Sequence, residues 1–166
     1  RGVSEVYVVD IMEKRLQKAL ELGADGVING AEESVEERIA QLTDGKGVDL
    51  VIETAGTEIT TRQAIQIAKK GSNIVLVGYS KTGEMTLPMS LVLDKELTFK
   101  TVFRYRHIYP MAIEAVAQGK VNLKGIVTDI FDLDDAQKAM DYSVNNKADI
   151  VKAVIRICAD DEKEQG

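Results

Sequence analysis

The chain has 166 residues, of which 45% are hydrophobic, and this is enough apolar material for the core of one domain. Its formal net charge is −6 and no basic stripe accompanies clustered aromatic residues, so nucleic acid is not an expected partner. No apolar run approaches the ~20 residues needed to cross a bilayer, so a membrane is not expected as a partner either.

The cysteine and histidine content limits which disulfides and metal sites the chain can form. A single cysteine, Cys158, excludes an internal disulfide and, with no signal-peptide pattern in the first residues, favours a reducing, cytoplasmic location. A catalytic zinc usually takes its protein ligands from Cys, His, Asp and Glu, and the single histidine, His107, lies far from Cys158 in the sequence. No metal ligand is therefore assigned in this chain, and His107 is interpreted as a partly exposed residue at a helix entry rather than as a ligand or proton relay.

The chain begins with a β-branched apolar run at residues 6–10 that closes in the single acid Asp10, followed by an amphipathic helix pattern at 11–22. This is the pattern of the second strand of a dinucleotide-binding unit, in which the acid accepts hydrogen bonds from the adenosine ribose. The alternative is that Asp10 only caps the strand end before a helix. In such a unit the acid follows the glycine-rich phosphate loop by about 20 residues, so that loop, its strand and its helix are expected before Arg1.

Capping signatures predict two further helices. Ser34 with Glu37 three residues later begins one of them, after a short strand at residues 26–29. Thr60 with Gln63 predicts the start of the other, which is expected to continue to residue 70.

Two near-continuous apolar runs, residues 48–53 and 73–78, flank the second of these helices. Such runs are typical of strands buried on both faces of a parallel sheet. The alternation of strand and helix predicts an α/β fold, a doubly wound, Rossmann-like parallel sheet that lacks its first strand and glycine loop. Ligands bind at the carboxyl ends of such strands, so Asp10, residues 54–56 and residues 78–79 are candidate positions, although glycines after strands are also ordinary turn residues.

The pattern changes after residue 83. A short helix through Leu91 precedes an alternating run at residues 97–103 that is predicted to be an edge strand, and Pro110 is expected at the start of another helix. A strand, a helix and a strand are then predicted at residues 126–131, 134–144 and 151–157. Residues 159–166 are acidic and poor in apolar side chains, which predicts a disordered tail.

Several motifs together resemble a known family. The run Val-Phe-Arg-Tyr at residues 102–105, followed by Tyr-Pro at 109–110, together with Asp10 and Arg15, resembles the sorbitol (polyol) dehydrogenases of the zinc-dependent medium-chain dehydrogenase superfamily. The resemblance covers residues 6–157. Its less specific pieces lie at residues 21–25, 53–56, 76–78 and 152–155.

The resemblance implies roles for the residues of the cofactor site. Asp10 resembles the ribose-binding acid, whose charge repels the 2′-phosphate of NADP, so NAD is the expected cofactor. Arg15 resembles the residue that packs near the adenosine, where its planar guanidinium is suited to stacking. The loops that approach the cofactor correspond to Thr54, Ala55, Gly56, Gly78 and Tyr79, where small residues let the backbone come close.

The resemblance also assigns roles at the end of the edge strand. Phe103 and Arg104 resemble the segment whose backbone meets the nicotinamide amide, and Arg104 with Tyr105 is expected to reach the substrate. The alternative for Arg104 is an ordinary surface arginine in an ion pair. The edge at residues 97–103 is expected to pair with a second copy, giving a homo-oligomer, either a dimer or a tetramer.

As a member of this family, the parent protein is expected to transfer a hydride from a polyol or secondary alcohol to NAD, with zinc as the Lewis acid on the alcohol oxygen. The family holds that zinc in an N-terminal domain, so its ligands are expected outside this chain. No catalytic residue is assigned here, and the chain alone is expected to be inactive. Some superfamily members act without zinc, as quinone reductases, so the zinc rests on the polyol-dehydrogenase motif.

The predicted organisation follows from the same resemblance. Residues 1–125 form a partial dinucleotide-binding domain, residues 126–158 a strand–helix–strand segment that returns to the absent catalytic domain, and residues 159–166 the tail. The competing hypothesis is a non-catalytic nucleotide-binding or assembly module, since the glycine loop is not in the chain.

Overall fold

The structure, a computed structural model, describes residues 2–157, which divide into two compact units. The first unit comprises residues 2–29 and 110–157, and the second comprises residues 30–109. The predictions for Cys158 and for the tail at 159–166 lie outside the described residues.

The elements alternate between strand and helix along most of the chain. In chain order they are β1 (Tyr7–Asp10), α1 (Glu13–Glu21), β2 (Gly26–Asn29), α2 (Val35–Leu42), β3 (Val48–Glu53), α3 (Glu58–Ile67), β4 (Ala68–Leu76), α4 (Met89–Asp94), β5 (Thr98–Thr101), α5 (Tyr109–Ala117), β6 (Asp129–Asp132), α6 (Ala136–Asn145) and β7 (Ala153–Arg156), with 3₁₀ turns at Lys124–Ile126 and Leu133–Asp135. All the strand pairs recorded among these elements are parallel, which confirms the predicted α/β class.

Two pairs of strands build the first unit. β1 pairs with β2 in parallel, and Leu16 of α1 and Ile28 of β2 are buried in the core beside them. β6 pairs with β7 in parallel, and the Phe131 ring of β6 lies 5.7 Å from the Tyr142 ring of α6. The strand–helix–strand pattern predicted for the last part of the chain is therefore present, with shorter strands than expected.

A three-stranded parallel sheet in the order β3-β4-β5 forms the centre of the second unit. α3 and α4 contribute side chains to a core that packs against the sheet. The buried members of this core are Ala64, Ile65, Ala68, Ile74 and Val92. α2 precedes this sheet in the sequence. The Ser34 hydroxyl accepts a hydrogen bond from the Glu37 N–H at 3.2 Å, so the predicted cap of α2 is confirmed.

The predicted start of α3 is wrong by one turn. Thr57, and not Thr60, is the N-cap, because the Thr57 hydroxyl accepts a hydrogen bond from the Thr60 N–H at 3.2 Å. Thr60 lies inside the first turn of the helix, where its own hydroxyl is available for another partner.

The predicted end of α3 at residue 70 is also wrong, because the helix ends at Ile67. The Lys95 ammonium donates hydrogen bonds to the carbonyls of Ile65 at 3.1 Å, Gln66 at 2.6 Å and Ala68 at 2.9 Å. These carbonyls lack helical partners, so a side chain from a later element replaces the next turn of the helix. Burial lowers the pKa of the Lys95 ammonium from its ordinary value.

Three predicted strands of the second unit need correction. The strand predicted at residues 73–78 is β4, which begins at Ala68 and ends at Leu76. β3 is not buried on both faces, since Leu50 is 48% exposed and Ile52 is 60% exposed, whereas Val51 packs against the core. Successive side chains of a strand point to opposite faces, so only the Val51 face meets the core of the unit. The predicted strand at residues 97–103 is also shorter, and its ladder covers Thr98–Thr101. Within the described residues β5 pairs with β4 alone, as expected of an edge strand.

No helix of residues 2–157 combines the length and the apolar character that spanning a membrane requires.

Candidate functional site

In the first unit, the Asp10 carboxylate lies at the end of β1 and caps the turn that follows. Its Oδ1 accepts hydrogen bonds from the Ile11 N–H at 2.8 Å and the Met12 N–H at 3.0 Å. Its Oδ2 lies 3.5 Å from the Arg15 guanidinium, so the structure brings together the two residues that the sequence singled out. Asp10 thus orders the turn before α1 but does not cap the helix itself, whose N-cap position Met12 has no side-chain cap hydrogen bond, and the ribose interpretation stays a prediction.

In the second unit, the remaining candidate residues follow three adjacent strands. They are Thr54, Ala55 and Gly56 after β3, Gly78 and Tyr79 after β4, and Phe103, Arg104 and Tyr105 after β5. Because the three strands are parallel neighbours, their carboxyl ends lie along one edge of the sheet. The fold places all eight of these residues at or beyond that edge.

The loops after β3 and β4 approach each other so closely that both require glycine at the contact. A Cβ added to Gly78 would lie 2.1 Å from the Gly56 nitrogen, and a Cβ added to Gly56 would lie 2.6 Å from the Tyr79 nitrogen. Gly56 also has a φ of +69°, a backbone conformation that other residues rarely adopt. The contact leaves two stretches of bare backbone side by side at the edge of the sheet.

A buried carboxylate that the sequence interpretation missed supports the first of these loops. Glu53 is only 5% exposed, and its Oε1 accepts hydrogen bonds from the N–H groups of Ala55 and Gly56, both at 2.9 Å. The same oxygen accepts a hydrogen bond from the Thr60 hydroxyl at 2.8 Å. The available signal was similar to the one that drew attention to Asp10, an acid that closes an apolar run.

The residues after β5 are exposed and include one in an unusual backbone conformation. Phe103 is 67% exposed and Tyr105 is 62% exposed. Arg104 has a φ of 54°, and its guanidinium lies 5.1 Å from the centroid of the Phe103 ring, within the range of a cation–π contact. Among residues 2–157 no carboxylate forms an ion pair with Arg104, so the alternative of a surface ion-pair arginine has no support there.

The described residues do not fit a zinc ion. Within residues 2–157 there is no group of three or more His, Cys, Asp and Glu side chains that could hold a metal. His107 is exposed with a φ of 51° and lies just before α5, as expected for a residue at a helix entry.

The first comparisons with known proteins concern sequence. Residues 1–118 match the family model described as zinc-binding dehydrogenase. The chain is 45% identical to an uncharacterized zinc-type alcohol dehydrogenase-like protein of Escherichia coli, over 94% of this chain and 44% of that protein. It is 32% identical to a sorbitol dehydrogenase of Bacillus subtilis, over 93% of this chain and 44% of that protein.

A solved structure extends the likeness to the fold. A protein of Escherichia coli described as a short chain alcohol dehydrogenase, complexed with the cofactor NADH, superposes with a TM-score of 0.84. The two sequences are 25% identical, and the match covers 93% of this chain and 45% of that one. The chain therefore spans less than half the length of these curated and solved relatives.

Proposed function

This chain belongs to the zinc-binding dehydrogenase family, in the zinc-dependent medium-chain superfamily, and we propose that it is the NAD-binding portion of an enzyme that oxidises a polyol or secondary alcohol. The observation that carries the proposal is the contact of Gly56 with Gly78 at the carboxyl edge of a parallel sheet. Bare backbone at this edge is where an α/β sheet admits a nucleotide cofactor, because no side chain blocks the approach.

The residues proposed to bind NAD are those that the resemblance assigns. Asp10 is proposed to accept hydrogen bonds from the ribose hydroxyls, and Arg15 to pack near the adenosine. The loops at residues 54–56 and 78–79, with Phe103 and Arg104, are proposed to supply further contacts. The likeness to a protein that is complexed with NADH supports this choice of cofactor.

When bound, NAD accepts a hydride from the alcohol carbon, and the residues of this chain hold and orient the two partners. The backbone of Phe103 and Arg104 is proposed to meet the nicotinamide amide. Arg104 and Tyr105 are proposed to contact the hydroxyl groups of the substrate, since both side chains are exposed beside that segment. Because the described residues offer no zinc site, the zinc of the parent enzyme is proposed to be held by residues outside this chain.

The organisation of the parent protein is part of the same proposal. Residues 1–125 belong to its dinucleotide-binding domain, and residues 126–158 return to a catalytic domain that is not in this chain. The enzyme is proposed to be cytoplasmic and to assemble as a dimer or tetramer through the edge at residues 97–103.

The test is the activity of the full-length protein that contains this chain. Purified enzyme is mixed with NAD or NADP and a panel of polyols and secondary alcohols, and the absorbance of the reduced cofactor is followed. We expect polyol-dependent reduction that favours NAD over NADP. NADH binding without turnover of any alcohol would contradict the enzyme proposal and favour the non-catalytic nucleotide-binding module. A protein that binds no NADH would contradict both.

A further inference from the structure

Glu53 forms hydrogen bonds to both the loop after β3 and the loop after β4. Its backbone carbonyl binds the loop after β4. That carbonyl accepts hydrogen bonds from the N–H groups of Val77 at 2.8 Å and Gly78 at 3.0 Å. Glu53 is the last residue of β3, whereas Val77 and Gly78 follow the end of β4. The backbone carbonyl of Glu53 therefore fixes the position of the first two residues of the loop after β4.

The side chain of Glu53 binds the loop after β3. Its Oε1 receives the N–H groups of Ala55 and Gly56 and the hydroxyl of Thr60, so it orders the loop after β3 and joins that loop to the first turn of α3. Three donors on one oxygen hold Gly56 in its left-handed conformation, directly against the backbone of Tyr79.

The second carboxylate oxygen has a different environment. Glu53 Oε2 is buried and has no hydrogen-bond donor among the described residues. A Cβ added to Gly78 would lie 2.8 Å from this oxygen, so it packs beside the bare backbone of that glycine. The hydrogen-bonding of the side chain therefore runs through Oε1 alone, while Oε2 fills space next to the glycine contact.

We propose that Glu53 is a positioning residue for NAD. Glu53 does not touch the cofactor but holds the loops that contain Gly56 and Gly78 in contact with each other. This inference rests on the proposed function, because it assumes that these loops receive the cofactor. It assigns to the carboxylate a task that its Oε1 performs as a hydrogen-bond acceptor, and the carbonyl oxygen of a neutral amide can perform the same task.

The geometry makes Glu53→Gln and Glu53→Ala an informative pair of variants. The Gln side chain keeps a carbonyl oxygen for the three donors and places its amide nitrogen where Oε2 lies. The Ala side chain removes the acceptor altogether. Asp49→Ala is the matched control, because Asp49 lies on the same strand, is 85% exposed and pairs only with Lys69 among the described residues.

The experiment measures NADH affinity by fluorescence titration, and KM for NAD and kcat, in the full-length enzyme. We expect Glu53→Ala to weaken NADH binding about tenfold, which corresponds to the loss of one strong net hydrogen bond, with kcat at saturating NAD within about twofold of wild type. Glu53→Gln should restore affinity to within about threefold of wild type, and Asp49→Ala should leave it unchanged. A residue that matters only for stability would lower the melting temperature without raising KM for NAD.

Two results would overturn the proposal. One is a folded Glu53→Ala enzyme with wild-type NADH affinity, and the other is a Glu53→Gln enzyme as impaired as Glu53→Ala. If Glu53→Ala does not fold, Thr60→Val removes one of the three donors and should still weaken NADH binding about threefold, and unchanged binding would count against the proposal. Wild-type enzyme that binds no NADH would instead reject the proposed function itself, before any variant is compared.

Discussion

At the scale of single residues, Asp10 orders the turn after β1 and is also the proposed ribose acceptor. Variants have to separate these two roles before the second can be measured. Its Oδ1 caps the turn after β1 through the N–H groups of Ile11 and Met12, and its Oδ2 faces the Arg15 guanidinium. Loss of the whole side chain therefore removes a cap as well as a candidate ribose acceptor. An asparagine keeps an oxygen for the cap and removes only the charge.

The Asp10→Ala substitution in the full-length enzyme is expected to weaken NAD binding by about 1.5 to 3 kcal/mol, or about 10- to 150-fold, because charge-assisted hydrogen bonds to the ribose are lost. Removing the charge also ends the repulsion of the 2′-phosphate, so the ratio of kcat/KM for NAD to that for NADP should fall in Asp10→Ala and in Asp10→Asn. Only Asp10→Ala should also lower the melting temperature, because it alone loses the side-chain acceptor for the Ile11 and Met12 N–H groups. A ratio within about twofold of wild type in both variants would show that Asp10 is a cap and nothing more.

At the scale of elements, the direction of the backbone groups of β5 decides what its outer edge can bind. The N–H of Val102 points toward β4, since it donates a hydrogen bond to the Leu76 carbonyl at 3.0 Å. Along a strand in a parallel ladder, consecutive N–H groups point to opposite sides. The Thr101 N–H therefore points away from β4, toward the edge that has no strand partner among the described residues.

Thr101→Pro is accordingly expected to weaken the dimer of the full-length enzyme while leaving the β4–β5 ladder intact, because proline removes a donor on the outer side only. Sedimentation across a dilution series measures the effect as dissociation at higher protein concentration than in the wild type. Thr101→Ala keeps the N–H and serves as the control. An unchanged dissociation profile for Thr101→Pro would mean that the copies associate through another surface.

At the scale of the whole molecule, the open edges of the strands bear on how the chain behaves alone. Within the described residues β1 pairs only with β2, and β3 pairs only with β4. Each of these strands thus has one edge without a partner, and β3 also exposes Leu50 and Ile52 on one face. Unpaired edges with apolar side chains favour association with other chains.

The 166-residue chain expressed by itself is therefore expected to self-associate. It is also expected to show no polyol-dependent reduction of NAD, with or without added zinc, because the described residues offer no zinc site and the sequence has no glycine-rich phosphate loop. Size-exclusion chromatography with light scattering measures the first property, and the absorbance of NADH measures the second. Turnover above background would show that these 166 residues suffice for the reaction. A monodisperse monomer with one cooperative melting transition would show that the open edges are satisfied within the chain.

Much of the fold and part of the candidate site could be predicted from the sequence, because local interactions decide those features. The bounds of β2 and β3 and the Ser34 cap of α2 were predicted correctly, since apolar patterning and caps act within a few residues. Asp10 and Arg15, which the resemblance singled out for the cofactor site, also lie in contact, because they are only five residues apart. The family assignment likewise needs only the linear motifs, and the comparisons confirmed it.

The tertiary structure alone decided the features that depend on residues distant in the sequence. α3 ends at Ile67 because the ammonium of Lys95, 30 residues beyond Ile65, takes over carbonyls that another helical turn would have satisfied. β3 exposes Leu50 and Ile52 because only one face of the strand meets the core of its unit, and an apolar run does not reveal which face that is. Glu53 became visible as a candidate positioning residue only when the end of β4 was placed beside it. A hydrogen bond between two loops requires the strands that bring those loops together, and no local pattern encodes that pairing.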